Sequence, residues 1–367
     1  MQKNTLLYWL LILIAYLITI KYELNPIYIL VIYLGLFTLM EILEYKYNVS
    51  VWDQTERTSN CYDWFEHYLP KNYDKDFGKD YTDGIFNNNY NISMNEAMKN
   101  KFDMCFKELN LKEGQTLLDC GCGTGVWMLY CKNRGIDTIG LTLSEEQAKV
   151  VRSKGLKCIV QDYRILNKNF IGKFNAISLI GSTEHDCLSR GAKTEDTVCK
   201  DRCNNTRINI FSLLNSYLKP QGCMLIQTLV DNKVAEYDTI KDNMARYFIE
   251  RHYGGFYSYL NDYKKSLEDA NFNIIEIKDN TNDYFYSSVA DPEHFGHYSI
   301  KFYESPIDKI YYFIKGLLLD PFLLHHWGYY ITDAWMWQFG GYKDRPLTQK
   351  EIDIAPCNSV YFILRKK

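Results

Sequence analysis

The chain of 367 residues lacks several features that would point to common functional classes. It has no excess of basic residues, because 42 Lys and Arg stand against 45 Asp and Glu, so we expect no nucleic-acid partner. It has no C-x-x-C pair, and Cys199 with Cys203 has neither a second pair nor nearby histidines, so we expect no metal. Its 11 cysteines show no framework spacing, which predicts reduced thiols.

A glycine-rich turn is the most informative stretch that is present. Thr116, Leu117 and Leu118 predict a short buried strand, and the run Asp119-Cys-Gly-Cys-Gly-Thr-Gly125 predicts the turn into a helix. Bare backbone in such a turn can approach a ligand closely. A dinucleotide fingerprint needs a glycine at the sixth place, where Val126 stands, so the spacing disfavours NAD and FAD.

The D-x-G-x-G-x-G pattern resembles motif I of the class I S-adenosylmethionine-dependent methyltransferases. This resemblance implies that Asp119, Gly121, Gly123 and Gly125 bind S-adenosylmethionine. The next predicted strand ends at Thr142-Leu-Ser, followed by Gln147, and resembles the T-L-S-x-x-Q signature of the cyclopropane-fatty-acid synthase family. That family includes the mycolic acid methyltransferases and the fungal sphingolipid C9-methyltransferases. Thr142 and Gln147 are therefore expected to contact the adenosine portion of the cofactor, in place of the usual acidic residue.

Strands and helices alternate through the rest of the chain. The box Ser93-Met-Asn-Glu96 predicts a helix start, and a helical face follows at Met94, Met98, Phe102, Phe106 and Leu109. The predicted strands lie near Leu117 and Ile139 and at 157–161, 175–180, 224–230, 273–277 and 360–364. Seven strands in this order predict an α/β fold with a doubly wound, Rossmann-like sheet that binds its ligand at the strand carboxyl ends. The resemblance implies an antiparallel last strand.

The loops after the third and fourth strands carry candidate site residues. Asp162 can accept a hydrogen bond from the adenine amino group and Tyr163 offers a face for stacking, although a surface turn explains Asp162 as well. Gly181-Ser-Thr-Glu184-His185 resembles the F-E-H segment of the family. Glu184 then matches the glutamate that helps to bind a bicarbonate ion at the active site.

Further catalytic and cofactor positions come from the resemblance alone. Tyr81-Thr82-Asp83 resembles the start of the Y-S-C-A-Y-F segment at the sulfonium end of the cofactor, with Asp83 in place of cysteine. Gln227 replaces the histidine that usually assists bicarbonate, so the use of bicarbonate is in doubt. His297-Tyr298 resembles the H-Y-x-x-T segment, whose tyrosine faces the reacting centre. At the two segments that contain Asp83 and Gln227, the chain resembles the sphingolipid C9-methyltransferases better than the other members of the family.

Two uncharged runs precede these motifs, at 6–20 and 27–40. At about 1.5 Å per residue each covers only ~22 Å of the roughly 30 Å hydrocarbon core, so they either span with interfacial anchoring or dip in as a hairpin. A cleaved signal peptide and a buried helix pair are the alternatives. We expect a membrane hairpin at 1–43, a polar linker at 44–76 and a methyltransferase domain at 77–367 on the cytosolic face.

The aromatic-rich stretch 302–342 is expected to be a helical insertion that covers a lipid tail or lies at a membrane interface. Together these features predict a membrane-anchored enzyme that transfers a methyl group to a lipid double bond. Within this prediction, sphingolipid C-methylation is slightly preferred over cyclopropanation. An N- or O-methyltransferase of a small molecule and an inactive membrane scaffold remain as alternatives. The sequence does not indicate the oligomeric state.

Overall fold

The computed structural model describes residues 3–22, 25, 27–45, 55, 58, 59, 62, 63, 82–187, 197–231, 257–290, 347–353 and 357–367. The helices are α1 (Lys3–Lys21), α2 (Ile27–Tyr45), α3 (Met94–Glu108), α4 (Val126–Lys132), α5 (Glu145–Ser153), α6 (Thr197–Tyr217), α7 (Leu260–Asp269), α8 (Thr281–Ala290) and α9 (Gln349–Asp353). The strands are β1 (Thr116–Cys120), β2 (Asp137–Thr142), β3 (Lys157–Val160), β4 (Phe174–Ile180), β5 (Leu218–Asp231), β6 (Phe272–Asp279) and β7 (Cys357–Lys366).

All seven predicted strands join one sheet in the order β3-β2-β1-β4-β5-β7-β6. The first five strands are parallel neighbours, whereas β7 runs antiparallel between β5 and β6. The doubly wound sheet and the antiparallel last strand are therefore confirmed. Strands β2 and β3 are added on one side of β1, and β4 is added on its other side. The carboxyl ends of β1 and β4 therefore border the crevice where such sheets bind ligands.

Hydrophobic side chains cover both faces of the sheet. One cluster joins α6 and α7 to the sheet through residues such as Phe211, Leu214 and Leu267. The other joins α3 and α4 through Phe102 and Trp127. Burial on both faces explains why neighbouring residues of β1 and β4, such as Leu117 with Leu118 and Ala176 with Ile177, are all apolar and buried, since a parallel strand between two helical layers has no solvated side.

The helix α3 begins as the sequence predicts. The hydroxyl of Ser93 accepts a hydrogen bond from the amide of Glu96 at 3.2 Å, which satisfies an otherwise unpaired donor of the first turn. Met94, Met98 and Phe102 are buried on the predicted face. This helix packs against α4 and positions the segment that starts at residue 82.

The two N-terminal helices form, and α1 packs against α2. Within the described part of the chain, however, no helix is both long enough and apolar enough to cross a bilayer. The apolar run of α2 ends before Glu41 and Glu44, so it is shorter than the helix itself. The prediction of a transmembrane helix is therefore not supported. The predicted insertion at 302–342 lies outside the described residues.

Candidate active site

The glycine-rich turn lies at the carboxyl end of β1, near the centre of the sheet. Gly121, Gly123 and Gly125 have positive φ angles of 82°, 50° and 77°, a region that favours glycine. The amides of Gly121 and Cys122 both donate to the carbonyl oxygen of Leu141 at 2.9 Å. These bonds hold the turn against the end of β2.

The three glycines of the turn have different surroundings. A β-carbon added at Gly121 would lie 2.5 Å from Cβ of Ser182, and one at Gly125 would lie 3.1 Å from Cγ2 of Val151. A β-carbon at Gly123 would meet no described atom within 4 Å. Gly121 and Gly125 therefore permit close packing, whereas the backbone at Gly123 faces open space that a ligand can occupy.

Asp119 is buried behind this turn. Its Oδ1 accepts a hydrogen bond from the hydroxyl of Ser178 at 2.7 Å, and Nε1 of Trp127 donates to the same hydroxyl at 3.1 Å. The three side chains connect β1, β4 and α4. Asp119 thus helps to fix the turn, and its contact with the cofactor stays a prediction.

A buried donor that fits an adenosine ligand lies shortly after β2, at Gln147 in the first turn of α5. Oγ1 of Thr142 donates to Oε1 of Gln147 at 2.9 Å, while Ser144 caps α5 by accepting from the amide of Gln147 at 3.0 Å. Nε2 of Gln147 is buried and donates to no atom of the described chain. An unpaired buried donor is costly, and ribose hydroxyls are suitable acceptors for it. The geometry therefore fits the adenosine role that the resemblance implies.

The residues after β3 are already engaged within the protein. The guanidinium of Arg164 donates to the Asp162 carboxylate at 2.7 to 3.0 Å. Burial raises the pKa of Asp162, but the bonds from Arg164 outweigh it and hold the pKa below its usual value. The hydroxyl of Tyr163 lies 2.5 Å from Oδ1 of Asp186. The adenine-binding roles of Asp162 and Tyr163 are not tested by these contacts and stay predictions.

Sequence reasoning missed an N-terminal strap, here defined as Thr55, Ser59, Tyr62 and Asp63. The hydroxyl of Thr55 donates to Oδ2 of Asp162 at 3.2 Å, and the hydroxyl of Ser59 donates to the carbonyl oxygen of Leu143 at 2.8 Å. The hydroxyl of Tyr62 lies 2.9 Å from Nε2 of His185. Oδ1 of Asp63 accepts from the hydroxyl of Ser144 at 2.5 Å and from the amide of Glu146 at 3.3 Å. The strap therefore contacts the segments that follow β2, β3 and β4. The available signal was the helical spacing of four polar side chains in the predicted linker.

Glu184 lies in the turn after β4 and is buried, with 9% of its surface exposed. Its Oε1 accepts from the amide of Leu229 at 2.9 Å, and its Oε2 accepts no hydrogen bond from the residues that are described. Burial raises the pKa of Glu184 to about 7, although the Leu229 amide lowers it. A carboxyl that titrates near neutral pH suits proton removal.

Of the other predicted catalytic residues, Asp83 and Gln227 lie in the described chain, as does Thr82, which was predicted to bind the cofactor. A β-carbon added at Gly181 would lie 3.2 Å from Cγ2 of Thr82 and 3.5 Å from Oε1 of Gln227, so these two side chains meet at the end of β4. Asp83 is fully buried and accepts a hydrogen bond from Nδ2 of Asn280. Tyr81 and Tyr298 lie outside the described residues.

The predicted bicarbonate position involves Gln227 and Glu184. Nε2 of Gln227 donates one of its two hydrogens to Oγ of Ser359 at 3.1 Å, and its Oε1 has no partner among the described residues. The open atom of Glu184 is also an oxygen. Oε1 of Gln227 and an ionised Glu184 are acceptors, whereas the Thr183 hydroxyl and a protonated Glu184 can donate to an anion. The use of bicarbonate stays a prediction, and we derive no step through it.

A disulfide fixes the turn that carries Glu184. Cys187 and Cys203 are bonded, which joins the end of this turn to α6. The prediction that all the cysteines are reduced is wrong at this pair, because folding brings together two residues 16 positions apart that no spacing rule connects. The other cysteines of the described chain are free and buried.

Reduction of this disulfide should destabilise the protein. For a closed loop of about this length the expected loss is roughly 3 kcal/mol of the free energy of unfolding, because the reduced unfolded chain gains conformational freedom. Urea denaturation of the wild type with and without dithiothreitol measures it. The Cys203→Ser variant should show the lower stability in both conditions, and a wild type insensitive to reductant would contradict the bridge.

Stability should also fall with rising pH because two buried carboxyls resist ionisation. Burial raises the pKa of both Glu184 and Asp186 to about 7. As pH rises towards 7, the unfolded chain releases these protons first while the folded chain retains them, so the free energy of unfolding decreases and then levels off. At 1.36 kcal/mol per pKa unit, Glu184 accounts for about 3 kcal/mol of the decrease. Urea unfolding across this pH range should show a smaller decrease in the Glu184→Gln variant.

Comparisons with known proteins identify the family of the chain. The family model described as mycolic acid cyclopropane synthetase matches residues 51–290. The chain belongs to this family. Its cofactor is S-adenosylmethionine, which confirms the predicted cofactor. The matched region starts at residue 51 and so includes the N-terminal strap.

Two curated relatives illustrate the range of chemistry among similar proteins. A probable fatty acid methyltransferase of Mycobacterium tuberculosis is 41% identical over 113 residues, which is 29% of this chain and 26% of that protein. Sphingolipid C9-methyltransferase B of Emericella nidulans is 31% identical over 121 residues, which is 30% of this chain and 23% of that protein. The matched stretches thus span about a quarter of each relative.

The fold extends the similarity over most of the chain. The crystal structure of mycolic acid cyclopropane synthase CmaA1 with SAH and CTAB has a TM-score of 0.58 and 18% sequence identity, and the match covers 85% of this chain and 98% of that one. At this identity the likeness shows the class I methyltransferase fold alone.

Proposed function

We propose that the chain is an S-adenosylmethionine-dependent C-methyltransferase acting on a double bond of a lipid acyl or sphingoid chain. The observation that carries this proposal is Glu184, a buried carboxyl with an open oxygen in the turn whose Ser182 packs against Gly121. When bound, S-adenosylmethionine supplies an electrophilic methyl group. The turn at Gly121–Gly125, together with Gln147, provides the groups that would hold it.

An alkene carbon that gains a methyl group leaves a carbocation on the substrate. A base must then remove a proton to give a neutral product, and the site must exclude water. Glu184 supports the first requirement because its carboxyl titrates near neutral pH. Gln227 does not titrate, and its amide is anchored on Ser359, so it suits a positioning role.

The proton that leaves determines whether the product is a ring or a methyl-branched alkene. The Gln227 position and the segment at Thr82 resemble the sphingolipid branch better than the cyclopropane synthases, and a sphingolipid C9-methyltransferase is among the relatives. A methyl-branched sphingoid product is therefore our first expectation, with cyclopropanation second.

A lipid substrate also suits the N-terminal helices. Several large apolar side chains of α1 and α2 are more than two-fifths exposed to solvent: Leu10, Leu13, Ile14, Leu17, Ile20, Ile27, Leu30, Val31 and Leu34. Exposed apolar surface of this extent marks contact with a partner or a lipid surface. We propose that these helices attach the domain to the cytosolic face of a membrane.

The proposal is tested by mass spectrometry of total lipids from cells that express the chain and are fed methyl-labelled methionine. A labelled sphingolipid with a methyl-branched alkene supports the sphingolipid branch. Gain of one methylene with loss of a double bond indicates cyclopropanation. If the protein binds the cofactor but labels no lipid, a small-molecule methyltransferase replaces the proposal, and loss of cofactor binding as well leaves a scaffold.

A further inference from the structure

The carboxylate of the N-terminal strap, Asp63, lies at the start of α5. Its Oδ1 accepts from the hydroxyl of Ser144 at 2.5 Å and from the amide of Glu146 at 3.3 Å. Ser144 is the N-cap of the helix, and Glu146 is in its first turn, where backbone amides have no partner within the helix. A residue 81 positions away from Ser144 in the chain therefore completes the cap of α5.

An acid at this place has a cost. Burial raises the pKa of Asp63 above its usual value, its two hydrogen bonds lower it, and the charge of Glu146 raises it again. The helix also has acids of its own in the first turn, Glu145 and Glu146, so its dipole is complemented without Asp63. The contact with the hydroxyl of Ser144 is therefore what distinguishes Asp63 from an ordinary first-turn acid.

Ser144 belongs to a closed ring of buried hydrogen bonds with Thr142 and Gln147. Its hydroxyl oxygen accepts from the amide of Gln147 at 3.0 Å, and its own amide donates to Oγ1 of Thr142 at 3.2 Å. Oγ1 of Thr142 donates to Oε1 of Gln147 at 2.9 Å, which closes the ring. Ser144, Thr142 and Gln147 are only 1%, 5% and 3% exposed, so solvent does not replace these bonds when one is lost.

Asp63 fixes the direction of the hydroxyl in this ring. A serine hydroxyl has one hydrogen and two acceptor lone pairs. Because the hydrogen of Ser144 is held by Oδ1 of Asp63, the oxygen stays directed at the amide of Gln147. Without Asp63 the buried hydroxyl must find another acceptor, such as a nearby backbone carbonyl, and its bond to Gln147 is weakened.

One donor of the ring remains open. Oε1 of Gln147 faces the hydroxyl of Thr142, and the other atom of the amide group, Nε2, is buried and has no partner within the described chain. Thr142 directly follows Leu141, whose carbonyl oxygen accepts the amides of Gly121 and Cys122. The open donor therefore belongs to the same segment that holds the glycine turn.

We propose that Asp63 is a positioning residue for cofactor recognition: through Ser144 it holds Gln147 so that Nε2 donates to a ribose hydroxyl of S-adenosylmethionine. Asp63 acts through Ser144 and not by contact with the cofactor. Each link from Asp63 to the side chain of Gln147 is a hydrogen bond of 2.5 to 3.2 Å. The inference rests on the cofactor-binding part of the proposed function and is independent of the lipid substrate.

The test measures, by calorimetry on the full chain, the binding of S-adenosylhomocysteine and of its 2′-deoxy and 3′-deoxy derivatives. In wild type, removal of the hydroxyl that accepts from Gln147 leaves a buried donor unpaired, so one derivative should bind about 5- to 150-fold more weakly. This ratio of affinities, here called the hydroxyl ratio, should disappear in Gln147→Ala. In Asp63→Ala it should fall by about 2- to 10-fold relative to wild type, because the donor is held less well.

Two matched variants separate this role from charge and from attachment of the strap. Asp63→Asn keeps an oxygen that can accept from Ser144, so it should restore most of the hydroxyl ratio. Ser59→Ala removes the neighbouring strap hydrogen bond, which runs to the carbonyl oxygen of Leu143 at 2.8 Å, and leaves the ring intact. It should keep the wild-type hydroxyl ratio.

A further variant decides the question if Asp63→Ala does not fold. Ser144→Gly removes the hydroxyl that joins Asp63 to Gln147, and glycine is well accepted at an N-cap. Its hydroxyl ratio should fall as in Asp63→Ala, and an unchanged ratio would overturn the proposal.

The other outcomes are equally decisive. An unchanged hydroxyl ratio in Asp63→Ala overturns the proposal, and so does an equal fall in Ser59→Ala, because Asp63 would then act only by attaching the strap. A ratio in Asp63→Asn as low as in Asp63→Ala overturns it as well, since charge and not the hydrogen bond would be responsible. Equal binding of all three ligands by wild type means that Gln147 does not donate to the ribose. These measurements need no lipid, so a failure to methylate lipid would refute the proposed function without changing the result for Asp63.

Discussion

Replacing Glu184 by glutamine is expected to lower kcat by about 10²- to 10⁴-fold, the range typical for loss of a general base. The amide has the same shape as the carboxyl and keeps an oxygen that can accept from the Leu229 amide, so the turn should retain its structure. It does not accept a proton at neutral pH. The steady-state rate of transfer of a labelled methyl group to the lipid measures the effect on kcat. Calorimetric titration with S-adenosylmethionine should show unchanged affinity for the cofactor.

The matched control for this substitution is Asp137→Asn. Asp137 is an exposed acid at the start of β2, where it forms an ion pair with Lys157 far from the strand carboxyl ends. Above neutral pH, where Glu184 is ionised, both variants remove one negative charge from the domain, so a general electrostatic effect would appear in both. Full turnover in Glu184→Gln would remove Glu184 from the chemistry, whereas weaker cofactor binding in that variant would indicate a role in binding instead.

The sequence predicted the parts of the site that depend on one strand and the turn after it. Three candidate sets lie at or shortly after the carboxyl end of a strand: the glycine turn, the pair Thr142 and Gln147, and Glu184. Parallel strands bring their carboxyl ends to the same end of the sheet. Their mutual proximity was therefore implied by the strand order. The chemistry of Thr142, Gln147 and Glu184 was assigned from the resemblance to the cyclopropane-fatty-acid synthase family, and these roles stay predictions.

Contacts between distant segments were not predictable in this way. Asp63 reaches Ser144 across 81 positions, and Thr55 reaches Asp162 across 107, so no local pattern connects them. The bond between Tyr163 and Asp186 has the same origin, since it joins the loops after β3 and β4. Each depends on how one chain segment lies over another, which hydrophobic periodicity does not encode.

Gly123 offers the sharpest test of the cofactor site, because its backbone faces open space. In Gly123→Ala the positive φ of 50° costs roughly 1–2 kcal/mol of folding stability. The new methyl group meets no described protein atom and would instead occupy space that the cofactor needs. Overpacking of this kind costs about 1–3 kcal/mol, so cofactor affinity should fall by roughly 5- to 150-fold.

The control for this prediction is Gly172→Ala, which reproduces the folding cost without the binding cost. Gly172 has a φ of 64°, and a β-carbon there also meets no described atom within 4 Å. The residue precedes β4, however, and so lies at the amino end of that strand, away from the carboxyl ends where the cofactor is expected. Urea denaturation should therefore show similar losses for the two variants, while calorimetric titration should show weaker cofactor binding only for Gly123→Ala. Equal affinities in the two variants would mean that the cofactor does not approach the turn at Gly123. The difference between the variants thus isolates ligand contact from backbone strain.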